Sequence, residues 1–165
     1  MYKLTNSLPY MLNMIAARLG DAFSAELAEH RLTLPMFRVL AALLQREEQR
    51  LGELGQMIQM DVSTLSRLVG TMKTRRLVSR RRQENDERSV RINLTAEGRA
   101  LIEKLVPRAV YYENLAVRDF AVGKIDDLKS TLFKIQENVS DLQRYATPAP
   151  TAKGGAKLSG RRKLA

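Results

Sequence analysis

The residues of this 165-residue chain whose types and spacing suit a specific chemistry lie between positions 62 and 94, and they suit the binding of a polyanion. This segment carries 9 basic and 3 acidic side chains, a large part of the formal net charge of +10. Residues 151–165 add 5 basic side chains and no acidic one, whereas residues 1–61 and 95–150 are nearly neutral. Positive charge concentrated beside a neutral scaffold is typical of a nucleic-acid-binding surface. A basic face kept for solubility is the alternative, but it would spread the charge more evenly.

Other chemistries find no support in the sequence. We see no nucleophile–base pair, phosphate-binding loop or metal-ligand spacing, so we predict neither an enzyme nor a cofactor. The absence of Cys excludes disulfides, thiolate zinc sites and thiol-based redox sensing. No apolar run reaches the roughly 18 residues that a membrane-spanning helix needs. Asn13 and Arg18 interrupt the apolar N-terminal stretch, and we expect a soluble, cytoplasmic protein without a secretory signal.

A helical period positions the polar residues of the basic segment. Leu65, Leu68, Val69 and Met72 recur at the spacing of one helix face, and Asp61 stands where an N-cap is expected. The opposite face carries small, polar or basic residues, namely Ser63, Ser66, Arg67, Gly70, Thr71 and Thr74. Such a face can enter a major groove and form hydrogen bonds with base edges and phosphates. A helix with no role beyond the surface would show more Glu–Lys pairs.

The period changes from helical to two after Leu77, which predicts a β-hairpin directly behind this helix. The first strand includes Val78, Arg80 and Arg82, and the polar stretch Gln83–Ser89 forms a charged tip. Val90–Leu94 is the predicted return strand.

Five further helices are predicted from apolar periodicity and capping residues. They span Ser7–His30 (capped by Ser7), a segment capped by Thr33, Gly52–Gln59, a helix from Thr95 to about Phe120 with a kink at Pro107, and Lys124–Tyr145. The apolar stripes of the first helix and the last two exceed what one small lobe can cover, which favours a dimer interface. A monomer that packs all three helices onto its own core is the alternative.

The predicted fold class is therefore mainly α with a small β-hairpin wing. Residues 33–97 would form a winged helix-turn-helix lobe, and residues 1–32 and 98–146 a helical dimerisation region. Residues 147–165 are rich in Pro, Gly and Lys/Arg, so we predict a disordered basic tail. That tail would add non-specific phosphate contacts or would serve only as a solubilising extension.

Three stretches of the chain, Leu54–Arg67, Leu77–Arg80 and Asp86–Gly98, resemble the MarR family of bacterial transcription regulators. The most specific part is Asp-x-Arg followed by Leu-Thr-x-x-Gly, which Asp86, Arg88, Leu94, Thr95 and Gly98 fit. The resemblance implies a homodimer whose first, fifth and sixth helices interlock and whose two lobes bind a pseudo-palindrome in double-stranded DNA.

The resemblance assigns roles to individual residues. Ser63, Thr64 and Arg67 would contact the major groove and nearby phosphates, and Arg88 would enter the minor groove while Asp86 holds it in position. The alternative for Asp86 and Arg88 is an exposed ion pair that contributes little to stability. The full set of candidate DNA-binding residues is Ser63, Thr64, Ser66, Arg67, Thr71, Arg76, Arg82, Asp86, Arg88 and Arg91.

Two positions depart from the family pattern, because Gln59 and Arg76 stand where the family usually has Gly. If both need a positive φ angle, each costs about 1 kcal/mol. Arg76 is also a candidate for an extra phosphate contact.

The resemblance also implies a small-molecule effector, either an aromatic acid, a phenolic compound or a coenzyme A thioester. Candidate effector-binding residues are Tyr10, Met14, Arg18, Arg38, Tyr111 and Tyr112, although core packing and surface ion pairs are alternative roles for each. The leading hypothesis is thus a ligand-responsive dimeric repressor. The alternative is an architectural, weakly specific DNA-binding protein without an effector.

Overall fold

The computed structural model describes residues 1–83 and 86–145, and the side chains of residues 1–81 and 90–142. Contacts group the chain into two units, Met1–Arg118 and Asp119–Ala165. The first unit contains α1 (Leu8–Glu29), α2 (Leu34–Gln45), β1 (Gln49–Arg50), α3 (Leu51–Ile58), α4 (Val62–Thr74), β2 (Val78–Gln83), β3 (Asp86–Leu94) and α5 (Ala96–Ala116), after a short 3-10 turn at Leu4–Asn6. The second unit contains α6 (Val122–Tyr145). The predicted fold class, mainly helical with a small hairpin, is confirmed.

The sheet is antiparallel with the strand order β1-β3-β2. Strand β1 was not predicted, and Gln49 in it lies opposite Ile92 of β3. Strand β3 begins at Asp86, four residues before the predicted start at Val90. The ladder irregularity after Arg82 lets Gln83 pair with Asp86, so extended backbone continues into the polar stretch that was expected to form only a tip.

The core of the first unit contains side chains from the predicted winged helix-turn-helix lobe and from the predicted dimerisation region. Its largest fully buried apolar side chains come from α1, α2, α3, α4, β3 and α5, and include Leu27, Leu40, Leu43, Leu54, Leu65, Met72, Ile92, Ile102 and Leu105. The apolar face predicted for α4 is confirmed, since Leu65, Val69 and Met72 are buried and Leu68 packs against them. Burial of this face turns the polar face of α4 outward.

Side-chain caps begin the helices where the sequence predicted them, with one exception. The Thr33 hydroxyl accepts a hydrogen bond from the Met36 N–H at 3.4 Å, and Asp61 and Thr95 cap α4 and α5 in the same way. The prediction for Ser7 is wrong. Its Oγ donates to the carbonyl oxygen of Leu4 at 2.9 Å, because the preceding 3-10 turn offers an acceptor within reach.

Gln59 and Arg76 both adopt left-handed backbone conformations, with φ angles of 55° and 58°. Each follows a helix and closes it, since the Met60 N–H donates to Gly55 O at 2.9 Å and the Leu77 N–H donates to Met72 O at 3.0 Å. The structure thus meets the condition under which each position was expected to cost about 1 kcal/mol. Helix α5 contains Pro107 and ends at Ala116, four residues before its predicted end.

Candidate nucleic-acid interface

The first turn of α4 is organised by the carboxylate of Asp61. Its Oδ1 accepts hydrogen bonds from the Ser63 hydroxyl at 2.6 Å and from the Thr64 N–H at 2.8 Å. These hydrogen bonds, with that of Ser63 foremost, hold the pKa of Asp61 well below its ordinary range. Because the Ser63 hydroxyl donates its hydrogen to Asp61, its lone pairs remain to accept a hydrogen bond from a base amino group.

The outward face of α4 has low relief. Thr71 and Thr74 turn their hydroxyls back to the carbonyl oxygens of Arg67 and Gly70, at 3.3 and 3.2 Å, so both side chains lie against the helix. A Cβ atom at Gly70 would meet nothing within 4 Å. Ser63, Thr64, Arg67 and Thr71 are exposed and Ser66 is half-buried. Such a face allows close approach to a groove floor.

Strand β2 is fastened to α4 by Arg80, whose Nη2 donates to the carbonyl oxygen of Ser66 at 3.0 Å. Arg80 and Lys73 lie at a cleft of about 400 Å³ that Leu51, Val90 and Ile92 also line. Arg80 and Lys73 were not among the predicted DNA-binding residues. The alternation along β2 was a signal for Arg80, but its contact with α4 depends on the fold.

Three arginines form a row across the sheet. Arg91 of β3 lies directly opposite Arg50 of β1 and Arg81 of β2, so the three side chains leave from the same face. Arg91 is half-buried and its Nη1 donates to the carbonyl oxygen of Glu48 at 2.8 Å, which ties β3 to the turn after α2. Nearby, the Arg50 N–H donates to Glu53 and lowers its pKa, with smaller contributions from Arg46 and Arg91.

Of the remaining predicted DNA-binding residues, the structure describes the side chain of Arg76 alone. Arg76 is exposed at the end of α4. The side chains of Arg82, Asp86 and Arg88 lie outside the described side chains, although the β2 and β3 backbones run through all three positions.

The Leu-Thr-x-x-Gly signature is a structural junction between α4, β2, β3 and α5. The Thr95 hydroxyl donates to the carbonyl oxygen of Arg76 at 2.5 Å and accepts from the Gly98 N–H at 2.9 Å, while the Thr95 N–H donates to Leu77 O at 3.2 Å. Gly98 is buried against Leu77. Thr95 therefore connects the end of α4 to the start of α5.

A cavity of about 260 Å³ lies between α1, α2 and α5. It brings together two of the six candidate effector-binding residues, Arg38 and Tyr112, and is lined also by Ala16, Leu19, Gly20, Phe23, Leu34, Ala109 and Glu113. The Phe23 ring contacts Tyr112, with centroids 5.5 Å apart. Sequence reasoning missed Phe23, because its place in the apolar stripe of α1 indicates only core.

The other four candidate effector-binding residues do not line this cavity. Tyr10, Met14 and Arg18 lie on the N-terminal half of α1, and Arg18 is exposed. Tyr111 instead lies under the Arg108 guanidinium, 5.2 Å from its ring centroid.

None of the helices in the described part of the chain combines the length and apolar character needed to cross a bilayer.

Comparisons with known proteins agree with this geometry. The organic hydroperoxide resistance transcriptional regulator of Bacillus subtilis (strain 168) is 29% identical over 139 residues, which cover 83% of this chain and 92% of that protein. The crystal structure of a MarR family transcriptional regulator from Silicibacter pomeroyi is 27% identical, with a TM-score of 0.75 and coverage of 83% of this chain and 92% of that one.

A third protein shares the fold at lower identity. The structure of Bordetella bronchiseptica BpsR, whose DNA binding is regulated by 6-hydroxynicotinic acid, has a TM-score of 0.74 at 24% identity, and the match covers 82% of this chain and 97% of that one. Residues 21–105 match the family described as transcriptional regulator SarA/Rot, a match over just more than half of the sequence. The chain therefore belongs to the SarA/Rot family of transcriptional regulators, DNA-binding proteins with the MarR-type winged helix.

Proposed function

We propose that this regulator is a cytoplasmic, ligand-responsive homodimer that represses transcription by binding a pseudo-palindromic operator. The observation that carries the proposal is the outward face of α4, which is low in relief, rich in hydroxyl groups and fastened to a basic strand by Arg80. A helix of this kind fits a major groove, and the adjacent hairpin reaches the flanking minor groove.

Individual residues then have distinct roles in DNA binding. Ser63 accepts a hydrogen bond from a base amino group, because its hydrogen is engaged with Asp61. Arg67 is exposed, and its Nε lies 3.5 Å from the Ser63 carbonyl oxygen, which holds the side chain to the helix. Its guanidinium is then presented to bases or phosphates. Thr64, Ser66, Thr71 and Arg76 contribute at the edges of this face. In the hairpin, Arg82, Asp86 and Arg88 keep the roles expected from the sequence.

Exposed apolar side chains support a homodimer. Leu8, Met11, Leu12 and Ile15 form one stripe on α1, and Ile15 is 60% exposed. Val110, Tyr111 and Leu115 are exposed on α5. In the second unit, α6 exposes Leu128, Phe133, Val139 and Leu142. Apolar surface of this extent is typical of an interface, and a two-fold dimer matches a palindromic site.

The cavity between α1, α2 and α5 supports an aromatic acid as the effector. Phe23 and Tyr112 supply aromatic walls, and Arg38 offers a guanidinium to a carboxylate. A volume of about 260 Å³ suits a single ring better than a whole coenzyme A thioester. Regulation of BpsR by 6-hydroxynicotinic acid, a ring compound with an acid group, is consistent with this assignment.

The proposal is tested first by DNA selection and oligomer mass. Wild-type protein should enrich a pseudo-palindromic duplex from a random pool and should sediment as a dimer. Arg67→Ala should lose affinity for that duplex, whereas Lys104→Ala, which removes an exposed charge from α5, should not. Selection of no consensus, or a monomer at all concentrations, contradicts the proposal.

Removal of residues 147–165 separates the proposal from the architectural alternative. A specific regulator keeps its preference for the selected duplex and loses only part of its salt-dependent affinity. A DNA-coating protein loses most of its binding.

The effector is tested by a thermal-shift screen of single-ring aromatic acids, since a bound ligand raises the melting temperature. A compound that stabilises the wild type should have little effect on Arg38→Ala, while Arg46→Ala serves as the matched control. An equal shift in Arg38→Ala would place the ligand elsewhere.

A further inference from the structure

Arg75, the C-cap residue of α4, reaches across to the end of α1. Its Nη1 donates to the carbonyl oxygen of Arg31 at 2.6 Å and its Nη2 donates to that of His30 at 3.1 Å. The same Nη1 lies 3.5 Å from the sulfur of Met36 on α2. One guanidinium therefore connects the end of α4 with both α1 and α2.

The end of α1 is shaped to receive this guanidinium. His30 closes α1, and Arg31 has a left-handed backbone with a φ of 53°. The N–H groups of Arg31 and Leu32 turn back to the carbonyls of Ala28 and Leu27, at 2.9 Å each. The carbonyls of His30 and Arg31 follow the last residue of α1, and a positive charge there is favoured by the dipole of α1.

The two helices that Arg75 contacts are also walls of the cavity described above. Helix α1 contributes Gly20 and Phe23 to that cavity, and α2 contributes Leu34 and Arg38. Helix α1 carries the exposed apolar stripe as well. The fork that Arg75 forms is therefore one of the contacts that fix α4 relative to the helices that line the cavity and carry the apolar stripe.

We propose that Arg75 is a positioning residue, which holds the recognition helix α4 at a fixed place relative to α1 and thereby sets the half-site spacing that the dimer accepts. A planar guanidinium suits this role because its donors engage two carbonyls and fix an orientation, which a single ammonium group does not. The inference rests on the proposed function, since half-site spacing has a meaning only for a dimer on a two-part site.

The test uses full-length protein and the duplex that wild type selects from a random pool. Affinities are measured for that duplex, for versions with one base pair added or removed between the half-sites, and for an unrelated duplex. Arg75→Gln should lose about tenfold or more in affinity for the selected duplex and should discriminate among the three spacings by less than about threefold. Its affinity for the unrelated duplex should stay within about twofold of wild type.

Salt dependence separates positioning from a direct contact. If Arg75 itself bound a phosphate, Arg75→Gln would lower the slope of log affinity against log salt by about one. We expect an unchanged slope. Lys104→Gln removes one exposed positive charge from α5 and should leave the spacing preference intact.

Arg75→Lys keeps the charge at the end of α1 but not the two-pronged guanidinium contact, so it too should accept altered spacings. This variant replaces Arg75→Gln in the test if Arg75→Gln does not fold. Full spacing discrimination in either folded variant, or a reduced slope in Arg75→Gln, overturns the inference. If wild-type protein itself shows no spacing preference, the proposed function is contradicted. If wild type has a preference and the variants retain it, only the role of Arg75 is contradicted.

Discussion

Gly98 faces the backbone of Leu77 so closely that a Cβ atom on Gly98 would lie 1.9 Å from the Leu77 carbonyl oxygen. The glycine is required for space and not for its φ angle, because no described glycine has a positive φ. Thr95 bonds to the same stretch of chain, with its N–H on the Leu77 carbonyl and its hydroxyl on the Arg76 carbonyl. The Leu-Thr-x-x-Gly signature, which contributed to the family resemblance, thus marks a place where two backbone segments pack closely.

Gly98→Ala should destabilise the protein by about 2 kcal/mol or more, because the atoms that a Cβ would meet are backbone atoms that cannot move aside cheaply. Urea denaturation measures the change. Gly52→Ala is the matched control, since a Cβ there meets nothing within 4 Å, and its stability should be unchanged or slightly raised. Equal stability of Gly98→Ala and wild type would contradict the tight junction.

Gln59→Gly should stabilise the protein by about 0.5–1 kcal/mol, because glycine adopts the left-handed conformation at this position without strain. Arg76→Gly should stabilise it similarly but weaken DNA binding through the loss of an exposed charge. Denaturation and DNA titration of the two variants separate the effects. Weaker DNA binding by both would indicate that backbone geometry, and not the Arg76 charge, is responsible.

Asp61→Ala should lower the urea midpoint at neutral pH by removing the cap of α4. Because the folded pKa of Asp61 is depressed, its contribution is present above the unfolded pKa of about 3.9 and is lost as the pH falls below that value. The difference between wild type and Asp61→Ala should therefore shrink in acid. Asp61→Asn, which caps without a charge, should stay constant relative to Asp61→Ala over the same range, and a pH-independent wild-type advantage would contradict the assignment.

Arg88→Ala should reduce affinity for the selected duplex by about 1–3 kcal/mol, as expected for a groove contact. Asp86→Asn should have a smaller effect in the same direction, since Asp86 acts by orienting Arg88. Anisotropy titrations at constant salt provide the measurement. A loss of less than about 0.5 kcal/mol in Arg88→Ala, against the expected groove contribution, would remove the wing from the interface.

Local patterns sufficed to predict the helices and the outward face of α4, but they left open the backbone geometry at Gln59 and Arg76. The features that were missed depend on contacts distant in sequence. Gln49 is buried in the two-residue strand β1, where its Nε2 donates to the carbonyls of Ala42 and Arg46 at 2.8 Å each, and neither its polarity nor the strand length indicates this role.

Arg75 illustrates the same limit. Among several basic residues it looks like another polyanion contact, and only the fold brings the end of α1 within reach of its guanidinium. The cavity likewise combines residues from α1, α2 and α5, so its lining could be predicted only in part.

The row of Arg50, Arg91 and Arg81 has a consequence for how salt acts on this protein. Like charges directly opposite one another on neighbouring strands destabilise a sheet, and dissolved ions weaken their repulsion. The same ions compete with the protein for DNA phosphates. Moderate salt should therefore lessen the repulsion within this row in the unbound protein while it loosens the complex, so that one ionic-strength series acts on the sheet and on DNA binding in opposite senses.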